Sequence, residues 1–286
     1  MAIQRVAILG ANGLLGHPIQ LALEQRGLHV IALTRADFDL GETSIAPLMK
    51  ILEREHVDAV VNCAAVIRPF IETHPIEQVI RINSIFPIEL ARLCETRGMP
   101  CLHFSTDCVF DGLKGPYVES DEMTATDIYG LTKAAGDAAR CMVLRTTLLG
   151  EERGRAHALL EWIKSRRGHA IGGFTNRPWN GVTAPMMARV VADILTQGLY
   201  EVGIVHIHSP NTISRLELFQ LVNEVFDLHM KITPEEAPGM CDRTQKSEKR
   251  FAQLLVTSSV QEQIHDLAQL QHRQVDSRCP IQGLSL

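Results

Sequence analysis

The sequence predicts an α/β fold: a doubly wound parallel sheet followed by a smaller α+β lobe. Short apolar runs rich in Val, Ile and Leu alternate with amphipathic helical segments through the first half of the chain. Continuous apolar strands separated by helices are typical of a parallel sheet that helices cover on both faces. After a strand expected at residues 142–146 the spacing becomes irregular and rich in Gly and Pro, which indicates that a second structural unit begins there.

The expected elements follow one another in order. In the first half, strands and helices alternate at 5–9, 13–26, 29–34, 45–55, 59–62, 76–97 and 101–105, each placed by the period of its apolar residues. In the second half we expect helices at 184–197 and 215–225 and a strand at 204–208. We therefore place a first domain at residues 1–150 with a returning segment at about 182–210, a second lobe at 151–268 and a loose tail at 269–286.

The composition excludes several classes of protein. Hydrophobic residues make up 45% of the 286 residues and charged ones 21%, which is ordinary globular usage and not that of a disordered chain. The formal net charge of −5 provides no basic balance for nucleic acid or an anionic membrane, and no apolar run reaches the roughly 20 residues of a membrane span. Seven scattered cysteines without zinc-like spacing and the lack of a signal-peptide pattern favour a reduced, cytoplasmic protein with no metal site.

Three glycines follow the first strand at regular spacing. Gly10, Gly13 and Gly16 form the pattern G-x-x-G-x-x-G between a strand and a helix, with Asn12, Leu14 and Leu15 between them. Glycine permits a tight turn and close backbone approach, while the N-terminus of a helix favours negative charge. We interpret the loop as the pyrophosphate site of a Rossmann-type dinucleotide-binding domain; an ordinary tight turn is the alternative.

The end of the second strand bears on the choice of cofactor. An acidic residue there grips the ribose hydroxyls of NAD, whereas an arginine can pair with the 2′-phosphate of NADP. The chain has Arg35 at this point and Asp37 two residues later. We therefore expect NADPH, with NADH as the alternative, and a solvated surface role for Arg35 as the other interpretation.

A tyrosine and a lysine are spaced for one helix face. Tyr129 precedes Lys133 by four residues, a separation that brings side chains together on a helix. A phenol has an ordinary pKa near 10, and a nearby ammonium stabilises the phenolate. We expect Lys133 to lower the pKa of Tyr129 so that the phenol can act as a general acid.

These motifs together are recognisable as those of a known family. The glycine loop, residues 62–65 (NCAA), 105–112 (STDCVFDG) and 129–133 (YGLTK) resemble the extended short-chain dehydrogenase/reductases. Among these, the sequence is most similar to the nucleotide-sugar 4-keto reductases of the dTDP-4-dehydrorhamnose reductase type. The likeness covers about residues 3–260, and the STDxVFxG run is its most specific part.

The resemblance implies roles for particular residues. Thr106 would hydrogen-bond the substrate carbonyl, Tyr129 would donate the proton, Lys133 would hold the nicotinamide ribose, and Asn83 would order the active-site helix and a relay water. Further cofactor contacts are implied for two loops, at Asp39, Leu40, Cys63, Ala64 and Ala65. Local capping and core packing remain the alternatives for Thr106, Asn83, Ala64 and Ala65.

The resemblance also implies a substrate side. Residues 176–183 and 241–244 look like the substrate segments of these reductases, with Trp179 and Asn180 near the base and Arg243 near the pyrophosphate. Beyond Thr106 and Asp107, Val109 and Phe110 would form an apolar wall facing the sugar. A core position for Trp179 and a surface ion pair for Arg243 are the alternatives.

The expected activity is therefore reduction of the 4-keto group of a 6-deoxy nucleotide sugar. Two alternatives remain: a non-catalytic NADP-binding regulatory subunit, like the β subunit of methionine adenosyltransferase, and an epimerase or dehydratase on the same fold. A dehydratase would carry Glu after Asp107, where this chain has Cys108. The expected partner is a nucleotide-diphosphate sugar, with a homodimer as the assembly and no nucleic acid or membrane.

Overall fold

A six-stranded parallel sheet forms the centre of the molecule. The computed structural model describes residues 3–152 and 157–276, with side chains as far as residue 270. The first half alternates strands and helices as β1 Arg5–Leu9, α1 Gly16–Gln25, β2 His29–Leu33, α2 Ala46–Arg54, β3 Ala59–Asn62, α3 Ile76–Ile80, α4 Phe86–Glu95, β4 Cys101–Thr106, α5 Ile128–Gly136 and β5 Met142–Thr146. These bounds follow the expected alternation closely, and the predicted fold class is confirmed.

The remaining elements are shorter and more irregular. They are β6 Leu148–Leu149, α6 Leu159–Lys164, β7 Ala170–Phe174, β8 Pro178–Trp179, β9 Val182–Thr183, α7 Ala184–Thr196, β10 Gly203–His206, β11 Ile213–Ser214, α8 Arg215–Val225, β12 Lys231–Glu235, α9 Arg250–Leu255 and α10 Val260–Asp276. The main sheet has the order β10-β5-β4-β3-β1-β2, and three two-stranded sheets, β11-β8, β12-β7 and β6-β9, lie outside it. Every neighbouring pair in the main sheet is parallel, so its strands all end at one edge.

The two faces of the sheet carry separate apolar cores. One core joins the sheet to α1 and α7, and the other joins it to α2 and α4. A third core is built from α6, α8 and α10 around Trp179, which gives the second half its own interior. No helix in the described ranges is both long and apolar enough to cross a membrane.

The long helix expected at 76–97 is interrupted. Residues Arg81–Ile85 form a π-helical turn between α3 and α4, in which the Phe86 N–H donates to the Arg81 carbonyl five residues back. Pro87 follows and has no N–H to donate, which frees the carbonyl of Asn83. A Cβ at Gly136 would lie 2.2 Å from that carbonyl oxygen, so α5 packs there through a glycine.

The segment expected as a tail begins within a helix. Helix α10 continues to Asp276, so residues 269–276 are helical. The α10 residues that pack into the third core are Val260, Ile264 and Leu267, all of which precede residue 269. Residues 277–286 of the expected tail lie outside the described residues.

Candidate active site

The glycine loop lies between β1 and α1 at the carboxyl edge of the sheet. Gly10 has φ +76°, and a Cβ there would lie 3.1 Å from Ala64. A Cβ on Gly16 would lie 2.3 Å from the Gly10 carbonyl oxygen, a clash that only a shift of the loop backbone would relieve. Helix α1 begins without a side-chain cap, so no side chain occupies its N-terminal end, although the His17 N–H donates to the Gly13 carbonyl at 3.3 Å. These features fit a dinucleotide pyrophosphate.

The other predicted cofactor residues lie along the same edge. Leu15 is buried in the core, whereas Asn12 is exposed and Leu14 is half-buried. Beyond β2, Arg35 is exposed and its Nε lies 2.9 Å from Asp39 Oδ2, while Leu40 is buried. The loop after β3 contributes the half-buried residues Cys63, Ala64 and Ala65.

Tyr129 lies in the first turn of α5. Asp127 caps this helix by accepting from the Gly130 N–H at 2.9 Å, and it also pairs with Arg68 at 2.8 Å. The Arg68 guanidinium lies over the Tyr129 ring, 5.9 Å from its centroid. The helix therefore presents the phenol beside a fixed cation.

The phenol does not have the lowered pKa that the sequence predicted. Burial, with Cys108 nearby, raises the pKa of Tyr129 well above its usual range, and a hydrogen bond between the Tyr129 and Thr106 side chains opposes this shift. Lys133, whose Nζ donates to the Phe104 carbonyl oxygen of β4, does not offset this rise. Tyr129 is thus protonated at neutral pH, the form a proton donor needs.

Lys133 is buried below the tyrosine. Only 2% of it is exposed, and its Nζ donates to the Phe104 carbonyl oxygen at 2.6 Å and lies 3.3 Å from His103 Nε2. Burial lowers the pKa of Lys133 to about 8, against the opposing effect of Asp137. Lys133 therefore gains and loses its proton close to physiological pH.

Thr106 ends β4 and starts a short 3₁₀ turn. Its Oγ1 accepts from the Cys108 N–H at 3.2 Å and donates to Asp107 Oδ1 at 3.1 Å. Capping, the alternative raised for Thr106, is thus part of its role, and its hydroxyl also reaches Tyr129. Burial raises the pKa of Asp107, while Arg215 and Arg243 act to lower it.

Asn83 holds the loop after β3 against the active-site helix. Its Oδ1 accepts from the Val66 N–H and its Nδ2 donates to the Val66 carbonyl, both at 2.9 Å. The same Nδ2 lies 3.3 Å from Thr132 Oγ1 on α5. The π-helical turn places this amide in the interior, so Asn83 does connect to the active-site helix.

Two predicted substrate residues are placed elsewhere. Val109 and Phe110 have no exposed surface, and Phe110 stacks on Tyr117 with ring centroids 4.0 Å apart. The prediction that they form an apolar wall facing the sugar is therefore wrong, because they turn inward and support the loop from below.

Trp179 and Asn180 also have structural partners. Trp179 is 3% exposed and belongs to the third core, which is the alternative that the sequence left open. Asn180 clamps the backbone of Gln245 through a 2.7 Å bond to its carbonyl and a 3.1 Å bond from its N–H. These contacts position the segment that carries Arg243.

Arg243 and Arg215 converge on Asp107. Arg243 donates weakly to the Asp111 carbonyl at 3.4 Å, and its Nε is buried without a hydrogen-bond partner among the described residues. Arg215, which sequence reasoning missed, also has a buried, unpartnered Nη1, and burial lowers the pKa of its guanidinium. It begins α8 after a Ser214–Glu217 capping box, a recognisable helix start that carried no sign of a ligand.

The fold and the site together define a Rossmann-type oxidoreductase with a Tyr-x-x-x-Lys helix. The chain belongs to the RmlD substrate binding domain family, whose family model matches residues 4–272. The resemblance predicted from the sequence is thereby confirmed.

Similar proteins carry related names. The chain is 28% identical over 239 residues to the probable low-salt glycan biosynthesis reductase Agl14 of Haloferax volcanii, covering 76% of this chain and 79% of that protein. It is 36% identical over 137 residues to a dTDP-4-keto-6-deoxy-D-glucose reductase of Streptomyces niveus, covering 47% of this chain and 46% of the relative. A match of 31% over 145 residues, 48% of this chain and 42% of the relative, is to the methionine adenosyltransferase 2 subunit beta of Bos taurus.

A solved structure shares the fold. The dTDP-4-dehydrorhamnose reductase of Bacillus anthracis in complex with NADP superposes with a TM-score of 0.79 at 19% identity, covering 92% of this chain and 98% of that one. At this identity the likeness establishes the fold. For the Streptomyces and bovine relatives, the matched segment spans less than half of their length.

Proposed function

We propose that the protein is an NADPH-dependent reductase of the 4-keto group of a 6-deoxy nucleotide sugar. One observation carries the proposal: the Thr106 side chain reaches Tyr129 and Lys133 lies one turn further along α5, at the same carboxyl edge of the sheet where the glycine loop follows β1. Ligands bind at this edge in doubly wound folds. Relatives named as reductases of dTDP-linked keto sugars support the same substrate class.

The glycine loop and the loops after β2 and β3 would hold the cofactor. Gly10 and Gly16 keep the backbone open to the pyrophosphate, and the exposed Arg35 can leave Asp39 to pair with a 2′-phosphate. An exposed ion pair of this kind is worth at most about 1 kcal/mol, so exchanging partners is cheap. Bound NADPH supplies the hydride that reduces the carbonyl carbon.

The residues of the chain supply the proton and the orientation. Thr106 presents a hydroxyl next to Tyr129 and would hold the carbonyl oxygen in line. Tyr129, protonated because burial raises its pKa, donates its phenolic proton to that oxygen. Lys133, with a pKa of about 8, can return a proton to the phenolate and regain one from solvent.

Two arginines beside Asp107 suit a diphosphate. Arg215 and Arg243 flank Asp107, and both have a buried guanidinium nitrogen without a protein partner in the described ranges. Charge-assisted forks are the preferred donors for phosphate oxygens. We therefore assign the pyrophosphate of the nucleotide sugar to these two arginines.

Two other functions share the fold. The match to a methionine adenosyltransferase β subunit favours a non-catalytic NADP-binding subunit, against which stands the assembled Thr106, Tyr129 and Lys133 set. The dehydratase alternative lacks an acidic neighbour of Asp107, since Cys108 has a pKa raised to about 11 by burial and by Asp107. Neither alternative explains the site as fully as reduction does.

The test is a substrate panel run beside a matched pair of tyrosine variants. Oxidation of NADPH and of NADH is followed with dTDP- and UDP-linked 4-keto-6-deoxy sugars. Tyr129→Phe should lower turnover by about 100-fold or more, the usual contribution of general acid catalysis, with unchanged NADPH affinity. Tyr200→Phe, which lies away from the site near Cys101, should leave turnover unchanged.

Two results would contradict the proposal. Equal turnover in Tyr129→Phe and the parent removes the proton donor. Tight binding of NADPH without reduction of any panel member favours the regulatory subunit instead.

We also propose the domain roles and the assembly. The main sheet with its returning segment 182–210 would hold the cofactor, and residues 151–268 would mainly bind the sugar nucleotide.

Exposed apolar side chains cluster on α3, the π turn and α5, at Ile76, Ile80, Ile85, Ile128 and Leu131, and a second copy of the chain would cover them in a homodimer. The six cysteines of the described ranges are free thiols, in keeping with a reduced cytoplasmic location; light scattering and fractionation test these two points.

A further inference from the structure

A buried histidine lies behind the proposed active-site lysine. His103 is in the middle of β4, paired with Asn62 on β3 and Val143 on β5, and it is 1% exposed. Its two ring nitrogens have different neighbours: Asn62 Nδ2 lies 3.2 Å from Nδ1, and Lys133 Nζ lies 3.3 Å from Nε2. The ring thus connects a loop-anchoring amide to Lys133.

The direction of these hydrogen bonds follows from the backbone. The Ala64 N–H donates to Asn62 Oδ1 at 3.2 Å, which turns the Asn62 amide nitrogen towards His103. Because an amide nitrogen only donates, Nδ1 of the ring must accept. A neutral imidazole carries one N–H, so the ring proton lies on Nε2 and points at Lys133.

The imidazole is neutral in this environment. Burial, and the charge of Lys133, lower the pKa of His103 well below its usual range. The titratable groups that act on this pair are His103 and Lys133 themselves and Asp137 on α5. The neighbouring strands contribute the uncharged Asn62 and Val143.

As a free amine, Lys133 can accept the hydrogen bond that His103 Nε2–H offers. An amine has one lone pair and two N–H groups, whereas an ammonium has three N–H groups and no acceptor. One N–H is used by the Phe104 carbonyl at 2.6 Å, and the lone pair is left for the histidine. Ala64 to Asn62, Asn62 to His103, and His103 to Lys133 then form a chain in which every donor meets an acceptor.

We propose that His103 is a positioning residue for Lys133, whose free amine accepts a hydrogen bond from His103 Nε2, and that Asn62 fixes this tautomer of the ring. This inference rests on the role given to Lys133 in the proposed function. Its consequence is chemical: the free amine is stabilised when Lys133 passes a proton from Nζ to the phenolate of Tyr129. The ammonium is then restored from solvent, so protons balance over one turnover.

The first experiment measures the tautomer without turnover. Histidine is labelled with ¹⁵N, and the His103 resonances are identified by their loss in His103→Gln. We expect a protonated Nε2 and an unprotonated Nδ1 at pH 9, where Lys133, with a pKa of about 8, is mostly a free amine. A proton on Nδ1 would overturn the proposal whether or not the protein is a reductase.

The second experiment compares variants of His103 and Asn62 with a control histidine variant. His103→Leu removes the donor, and kcat should fall about tenfold, the effect of losing one hydrogen bond to a charged or reacting group, with little change in KM. The pKa of Lys133, read by NMR titration of its ε-carbon and from the pH profile of kcat/KM, should rise. His103→Gln places an amide N–H near the same point and should restore most of kcat.

Asn62→Asp reverses the direction of the hydrogen bonds from residue 62 through His103 to Lys133. Its carboxylate can accept from Nδ1–H, so the ring proton moves, Nε2 becomes an acceptor, and the pKa of Lys133 rises. His29→Gln, an exposed histidine on β2, is the control and should change nothing. An unmoved tautomer in Asn62→Asp, or an unchanged Lys133 titration in folded His103→Leu, contradicts the proposal; if His103→Leu does not fold, the tautomer measurement and Asn62→Asp decide the question.

Discussion

Arg145 on β5 and Asp137 at the end of α5 form an ion pair with 2.7 Å between Nη2 and Oδ2, and neither side chain is exposed. The Arg145 guanidinium also lies over the Phe110 ring, 5.0 Å from its centroid. The pair therefore ties the active-site helix to the sheet and to the loop after Thr106. Such a pair is costly to break, since it leaves one charge buried alone.

Asp137→Asn should destabilise the protein by about 3–5 kcal/mol, the penalty for an uncompensated buried charge. Urea unfolding measures this change. Glu95→Gln is the control, because Glu95 pairs with Arg140 at 3.4 Å with both side chains exposed, and such a pair is worth about 0–1 kcal/mol. Equal effects of the two variants would show that burial adds nothing to the Asp137 pair.

Stability should fall as the pH falls below neutral because of His206. Burial, with Arg145 opposite, lowers the pKa of His206 to about 4, and Nδ1 faces the carbonyl oxygens of Tyr117 and Lys246 at 3.2 and 3.0 Å. Between about pH 6.5 and pH 4 the unfolded chain binds more protons than the folded one, so the free energy of unfolding decreases with falling pH. The loss from this residue between pH 7 and pH 5 is about 2 kcal/mol.

His206→Gln tests this pH dependence. A glutamine can accept from Arg145 Nη1, which lies 3.0 Å from His206 Nε2, and it does not titrate. The variant should lose less unfolding free energy than the parent between pH 7 and pH 5, while His29→Gln should behave like the parent. Parallel curves for His206→Gln and the parent would refute the assignment.

The sheet and the glycine loop were predictable because they depend on local pattern. Strands 5–9 and 59–62 were placed to the residue, since each contains a short continuous apolar run. The interrupted helix was not predictable, because the π turn depends on Pro87 together with the close approach of Gly136 from a distant helix. The short sheets of the second half have two to five residues in each strand and give no periodic signal.

The residues of the candidate site were also only partly predictable from the sequence. Tyr129 and Lys133 share a helix, and their spacing indicated them directly. Arg68, His103 and Arg215 were missed because nothing local marks them; each reaches the site through pairing or packing between distant segments. Phe110 was assigned to the substrate because an aromatic beside a motif does not indicate which way its ring turns.

Gly16→Ala should abolish tight NADPH binding. The added Cβ would lie 2.3 Å from the Gly10 carbonyl oxygen and 2.8 Å from Ala11 Cα, so the loop must move away from the helix N-terminus. Cofactor affinity, measured by fluorescence titration, should fall by at least about tenfold, or 1.4 kcal/mol. Gly198→Ala is the control: its φ of +69° carries a strain of about 1–2 kcal/mol in stability, but nothing lies within 4 Å of the new Cβ, and NADPH affinity should be unchanged.

Arg215→Met should weaken binding of the nucleotide sugar and leave the cofactor untouched. The methionine keeps much of the apolar stem of Arg215 and removes a guanidinium whose Nη1 is buried without a partner in the described ranges. A charge-assisted contact to phosphate is worth about 1.5–3 kcal/mol, so KM should rise by roughly 10-fold to 100-fold, with NADPH affinity as in the parent. Arg166→Gln is the matched control, because Arg166 is exposed and its guanidinium lies over the Trp162 ring. Because the loss of Arg215 also removes a cation beside Asp107, the pKa of that carboxyl should rise further. A protonated Asp107 repels the pyrophosphate less than the carboxylate does, so the rise in KM should be smaller at pH 6 than at pH 8. A KM that stays at the parent value at both pH values would place the pyrophosphate elsewhere and leave Arg215 with a purely structural role.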